Sequence, residues 1–304
     1  MSRTATPILW GHSLSGGAHP PPIGWRVVPA EPFALAAEAA AELATRSGRA
    51  GHDVAVVLGS GWGRAAAELG TGVDVPLADL PGFPPPSAAG HGASVRSIEL
   101  AGRGVLVFLG RVHLYEGHDP AVVAHGVRTA AAAGCRTVVL TNAAGSLHRE
   151  WPIGQPVVIA DQINRTGRSP LTGPPPPAPF ASRFVDLSDL YAARLRTLAR
   201  TVDPTLPAGV YVGFHGPEFE TPAEIRMAGI IGGDLVGMST VLEAIAARHV
   251  GLDVLGLSLA TNLAAGISDV PIDGAHVLAA GEAAGERVGR LLRDLLTADG
   301  IVAA

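Results

Sequence analysis

DVAVVLGSGWG, Asp53 to Gly63, decides the fold class. Five consecutive apolar residues, three of them β-branched valines, run into a glycine-rich end. That is the pattern of a strand buried on both faces and feeding a tight turn. Upstream, PFALAAEAAAELATR (Pro32 to Arg46) is alanine-rich, with Pro near its first turn, and predicts a helix. Downstream, SVRSIEL and GVLVFLG (Ser94 to Gly110), interrupted at Ala101-Gly102-Arg103, predict a hairpin. A helix follows over Pro120 to Gly134, then strands over Thr137 to Gly145 and Gln155 to Asn164. Arg165 to Phe180 is a long loop carrying Pro174 to Pro177 in a row, so it is expected to be functional or mobile.

The alternation continues beyond that loop. Helices are expected around Asp189 to Thr201, from Pro222, over Thr240 to Val250, and over Val277 to Leu296. Strands are expected at Gly209 to Phe214, Asp234 to Ser239 and Asp253 to Asn262. This predicts one α/β domain over residues 29–304, an αβα sandwich with a central mixed β-sheet flanked by helices. Residues 1–28, rich in Gly, Pro, Ser and His without apolar period, read as a mobile N-terminal tail.

Composition narrows the partners. Of 304 residues 47% are hydrophobic and 16% charged, which excludes a disordered chain. The net charge of −5 with no basic block leaves no footprint for nucleic acid or an anionic membrane. Cys135 is the only cysteine, so neither a disulfide framework nor a multi-cysteine metal site is expected. The late uncharged run from Val254 to Ile267 falls short of the roughly 20 apolar residues that span a bilayer. The first residues lack the pattern of a secretory signal. A cytoplasmic protein is the expectation.

In open α/β sheets, ligands bind beyond the carboxyl ends of the strands. Those ends carry Gly59-Ser60-Gly61, Gly110 to His113, Thr141 to Gly145, Met238-Ser239 and Thr261-Asn262. An Arg, a His, two Ser and approachable backbone amides make an anion pocket. Taken singly the signals are weak. G-S-G-W-G departs from the dinucleotide pattern, whose third glycine comes one residue later. Arg111 alone reads more often as a surface residue, and His113 alone as a satisfied core histidine. Glu116 is placed to orient His113 by accepting its ring N–H. In HGPEFETPAE (His215 to Glu224), Thr221 to Glu224 matches a capping box with Pro222 at the first helical position. That leaves Phe219 and Glu220, an aromatic beside a carboxylate, which suits a flat heterocycle. Asn262, at the end of a buried strand, needs partners for its amide.

Together GSGWG, Gly90-His91, GRVHLYEG, TNAAG, GPEFETPAE, VGMST and SLATN resemble, in order and spacing, the trimeric purine nucleoside phosphorylases, in a bacterial version. The resemblance runs from about Pro32 to Leu296. It implies phosphorolysis of purine nucleosides by a homotrimer, with phosphate as co-substrate, no metal and no organic cofactor. It implies a phosphate site at Ser60, His91, Arg111, His113, Ser239 and the backbone of Ala143. Tyr115 and Met238 match ribose positions, and Phe219, Glu220 and Asn262 match the purine site. Asn262, Glu220 and His113 are the residues expected to carry catalysis. Phe180 matches an aromatic that reaches into the neighbouring subunit's site. Methylthioadenosine phosphorylases share most of these motifs but carry Asp where Asn262 stands, and a non-catalytic purine- or dinucleotide-binding protein is the alternative of another class. One departure stands out. In the family a His three residues before Val-Leu-Ala-Ala-Gly contacts the nucleoside 5′-hydroxyl, and this chain has Gly274 there. Either the loop Asp269 to Asp273 shifts to bring His276, the nearest histidine, to the ribose, or that contact is lost.

Overall fold

The computed structural model describes residues 32–84, 93–180 and 182–303. The predicted tail and His91 lie outside them. In chain order the elements are α1 (Pro32–Ser47), β1 (Val54–Val57), α2 (Ala65–Glu68), β2 (Val73–Pro76), β3 (Ser94–Leu100), β4 (Arg103–Phe108), α3 (Pro120–Val123) and α4 (His125–Ala132). Then come β5 (Thr137–Ser146), β6 (Gln155–Asn164), α5 (Ala193–Val202), β7 (Ala208–Gly213) and α6 (Pro222–Ile230). The chain finishes with β8 (Leu235–Gly237), α7 (Val241–His249), β9 (Asp253–Leu263) and α8 (Gly274–Thr297). Among the described residues no helix is long and apolar enough to cross a membrane.

The strands form one mixed sheet in the order β2-β3-β4-β1-β5-β8-β7-β6-β9. Most of its apolar residues divide by alternation between two cores, with Val212 and Val236 in a smaller third cluster against α6. Ala55 and Val57 of β1, with Val138 and Leu140 of β5, pack against α1, α4 and α7. Val54 and Val56, with Val139 and with Leu255, Leu257 and Leu259 of β9, pack against α2, α5 and α8. These are the three layers of the expected αβα arrangement.

Two features of the sheet set up the site. First, β5 also pairs with β9 in parallel, so β5, β8, β7, β6 and β9 close into a ring. Second, β5 changes partner along one edge. β1 leaves it after Val57↔Leu140, and β8 joins it only at Gly145↔Val236. Residues 141–144 therefore have no strand beside them on that edge, and the loops after β1 and β4 fill the gap.

Elsewhere the expectations hold with adjustments. The hairpin turns at Ala101 and Gly102, both at positive φ (51° and 76°), the conformation a two-residue turn needs. The helix predicted over Pro120 to Gly134 is broken at Ala124, beside the buried His125, whose ring bonds the Pro81 carbonyl at 2.8 Å. β2 was not foreseen: it is an edge strand with one buried residue, and it ends in Pro76, which donates nothing to a ladder. α8 begins three residues before the expected Val277, because the Asp273 carboxylate caps it by accepting from Ala275 N at 2.9 Å.

Candidate active site

At the gap in the sheet lies a cavity of about 560 Å³, within the size range of small-molecule sites. Its walls come from the ends of β1, β4, β5, β8 and β9, the loop before α6 and the first turn of α8.

The turn after β1 reaches β5 by close backbone approach. A Cβ on Gly59 would lie 2.5 Å from the Thr141 carbonyl oxygen and 2.6 Å from Arg111 Nη1, so only glycine fits there. Gly59 N–H donates to Thr141 Oγ1 at 3.0 Å, and the fully buried Trp62 donates from Nε1 to the Asn142 carbonyl at 2.8 Å. Ser60 is held between these anchors at the cavity wall. From the loop after β4, Arg111 donates through Nη1 to the Thr141 carbonyl, the edge group β1 leaves behind. It is 6% exposed and forms an ion pair through Nε with Glu243 Oε1 at 3.0 Å.

His113 is oriented as its neighbour's chemistry requires. Glu116 Oε1 accepts from the His113 backbone N–H at 2.7 Å and lies 3.1 Å from its Nδ1. Burial first, and then the Arg111 charge, push the imidazole down to about 4 from its ordinary 6.5. His113 is therefore neutral near pH 7, with Tyr115 stacked on it at 4.7 Å between ring centroids. Across the cavity, Ser239 N–H donates to the hydroxyl of Tyr211 at 3.3 Å, and burial raises that hydroxyl to about 12. Ser239 Oγ lies 3.0 Å from Thr240 Oγ1.

The other end of the cavity is less tied. Glu220 is 9% exposed, and its Oε1 has no hydrogen-bond partner among the described residues. Burial raises its carboxyl above the ordinary 4.5. Phe219 beside it is 44% exposed. Among the described residues Asn262 bonds only locally, Nδ2 to the Leu263 carbonyl at 3.0 Å and Oδ1 from Thr261 Oγ1 at 3.1 Å. Val277 and Leu278 of α8 supply an apolar wall.

The cavity thus gathers Ser60, Arg111, His113, Tyr115, Ala143, Phe219, Glu220, Met238, Ser239 and Asn262. Two predicted residues lie elsewhere. His276 is exposed on α8 and does not line the cavity, although its neighbours Ala275 and Val277 do. With α8 beginning at Gly274, the position sits on the wrong face of the first turn. Phe180 packs on Phe33 and His249 of its own chain, with ring centroids 4.6 and 6.2 Å away. Asn142 supports the site from within the Thr141 to Gly145 stretch, while Tyr211 and Glu243 support it without having been singled out. Of those two, Glu243 alone left a local trace, as the fourth residue of T-x-x-E at Thr240. Among the described residues no group of three or more His, Cys, Asp or Glu side chains is placed to hold a metal ion.

Comparison with known proteins meets this geometry. Residues 53–297 match the model of the Phosphorylase superfamily. A purine nucleoside phosphorylase of Cellulomonas is 56% identical, over 87% of this chain and 93% of that one. One from Mycobacterium tuberculosis is 55% identical, over 88% and 97%. The crystal structure of Schistosoma mansoni purine nucleoside phosphorylase with inosine superimposes with a TM-score of 0.80 at 31% identity, covering 87% of this chain and 96% of that one. With six of the seven phosphorylase motifs lining one cavity and more than half of the aligned residues shared with such relatives, this chain belongs to the purine nucleoside phosphorylases.

Proposed function

We propose that the cavity carries out reversible phosphorolysis of 6-oxopurine (2′-deoxy)ribonucleosides, with phosphate as the second substrate and no organic cofactor. The observation that carries this reading is the placement of a buried Arg, a neutral His and two Ser at one end of a cavity whose other end holds an aromatic, a carboxylate and an amide. Phosphate lies among Ser60, Arg111, His113, Ser239 and the backbone of Ala143. His91, in the same predicted set, lies outside the described residues. Tyr115 and Met238 flank the ribose, and Phe219, Glu220 and Asn262 hold the base.

The chemistry follows from where charge develops. As the bond from C1′ to the purine nitrogen breaks, the sugar becomes oxocarbenium-like and the base gains negative charge. A phosphate oxygen forms the new bond to C1′, and the electron pair of the broken bond leaves with the base. Phosphate held under C1′ lowers the barrier by position and charge. Asn262 donates to N7 or O6 of the departing purine, and Glu220 accepts from N1–H. Neutral His113, its Nδ1 hydrogen facing Glu116, adds no charge of its own to the site.

The active unit is a homotrimer in this reading. Phe180 lies outside its own chain's cavity, so any substrate contact it makes belongs to another copy. Phe180→Ala then raises the nucleoside KM, while the unfolding midpoint falls only by the loss of its contacts with Phe33 and His249; a fully active monomer by light scattering contradicts the assembly. The reaction itself is tested by incubating inosine with and without phosphate. Hypoxanthine is expected only with phosphate, together with ribose 1-phosphate. Cleavage without phosphate means a hydrolase, and no cleavage in either tube overturns the reading.

A further inference from the structure

Arg111 and Ser239 reach the cavity from different loops, one after β4 and the other between β8 and α7. Glu243, in the first turn of α7 and 3% exposed, joins them. Its Oε1 accepts from Arg111 Nε at 3.0 Å, and its Oε2 accepts from the Thr240 backbone N–H at 3.1 Å. Thr240 has φ 68° and ψ −50°, and Val241 N–H donates to the Ser239 carbonyl at 2.7 Å. Ser239, Thr240 and Val241 therefore form a γ-turn of the rare, strained hand. The Thr240 hydroxyl is fixed as well, accepting from Asn142 Nδ2 at 2.8 Å and lying 3.0 Å from Ser239 Oγ.

Starting a helix does not require this. α6 has the same T-x-x-E spacing, and its Thr221 makes the capping box with ordinary extended backbone, φ −74° and ψ 159°. Strain of this kind persists only where the surroundings hold it, and it concentrates at ligand sites. Here it is held by the carboxylate that also grips the buried guanidinium. Glu243 itself does not line the cavity.

We propose that Glu243 is a positioning residue for the anion: it fixes the guanidinium of Arg111 and, through the strained turn at Thr240, the hydroxyl of Ser239, so that both face one oxyanion. The inference rests on reading the cavity as a phosphorolytic site. A carboxylate beside the anion would repel it. Behind Arg111 its charge is taken up by the guanidinium, and only its geometry reaches the ligand.

Steady-state KM values for phosphate and for inosine, measured on the full chain, separate the possibilities. Wild type without phosphate-dependent cleavage overturns the functional reading and this inference with it. Given an active wild type, Glu243→Gln keeps the shape but presents an N–H₂ group to one of two donors. Its phosphate KM should rise at least about tenfold, as loss of a charge-assisted hydrogen bond implies, with the inosine KM within about threefold. Ala246→Gly weakens the same helix without touching either carboxylate oxygen, and should leave the ratio of the two KM values unchanged. Should Glu243→Gln not fold, Thr240→Gly carries the test. Glycine accepts the positive φ while losing the hydroxyl, so the phosphate KM should rise about threefold to tenfold with the inosine KM within about threefold. A phosphate KM within about twofold of wild type in the variant that folds overturns the proposal. So does an Ala246→Gly chain that shifts the ratio as far.

Discussion

The two ends of the cavity are built on different principles. At the Arg111 end, nearly every polar group is engaged before any ligand arrives: Arg111 with Glu243, His113 with Glu116, Ser239 with Tyr211 and Thr240. At the Glu220 end, a buried carboxylate oxygen has no partner among the described residues, and the neighbouring ring is half exposed. In the proposed reading a phosphate meets donors already aimed, whereas a purine supplies the hydrogen that Glu220 lacks. The lesson is that one pocket can hold a preorganised half and a half that its ligand completes. Substitutions at the first end should damage the fold as well as the reaction. Those at the second should damage the reaction alone.

Arg111→Met is the hardest blow to the first end. It should lower phosphate-dependent kcat/KM roughly 10³-fold, the scale seen when a preorganised anion donor is removed. It should also cost about 3–5 kcal/mol in urea unfolding, because Glu243 is left charged and buried. Adding Glu243→Leu should restore much of the stability and none of the activity. Full stability of the single variant would show that the pair is not the lock described.

At the second end, Glu220→Gln should lower kcat/KM for inosine roughly 10²-fold, the cost of a hydrogen bond to a charged group. The urea midpoint at pH 7 should stay or rise. Burial raises this carboxyl in the folded state, so its contribution to stability is present only below the ordinary 4.5 and is lost as pH climbs through the raised value. Glutamine carries no such penalty. A marked drop in midpoint would mean that Glu220 holds the structure and does not wait for a ligand.

The contrast also has a pH signature. Burial pushes His52 and His113 down to about 4. The unfolded chain takes up protons at both that the folded protein refuses, so stability is full above 6.5 and is lost as pH falls toward 4. For His113 the loss amounts to roughly 3 kcal/mol over that window. His113→Gln should flatten the profile, and an unchanged slope would place the acid sensitivity elsewhere. The smallest effect belongs to His276. Inosine and 5′-deoxyinosine should differ only a fewfold in kcat/KM, and His276→Ala should leave both unchanged. A preference for inosine above about a hundredfold, abolished by that substitution, would bring α8 into the site differently from its described position.

Much of this was legible in the order of residues. Continuous apolar runs gave β1, β5 and β9, and the glycine-rich and Thr-Asn-Ala-Ala-Gly ends located the cavity, because strand ends are where an α/β sheet exposes backbone. The ring closure was not legible. β5 and β9 pair across more than a hundred residues of chain, and no local pattern specifies that partner. β2 was hidden by Pro76 and by having one buried residue. Glu243 shows why support residues escape a reader. Its spacing from Thr240 satisfies an ordinary capping box, and its second partner, Arg111, lies 132 residues away in sequence.

Titration of the free wild-type protein with inorganic phosphate, followed by calorimetry without any nucleoside, tests the preformed anion end most directly. Saturable binding to the free enzyme, abolished by Arg111→Met and preserved in Glu220→Gln, is the predicted result. Phosphate that binds only once a purine is present would contradict it, because the donors around Arg111 would then be assembled by the ligand and not by the fold.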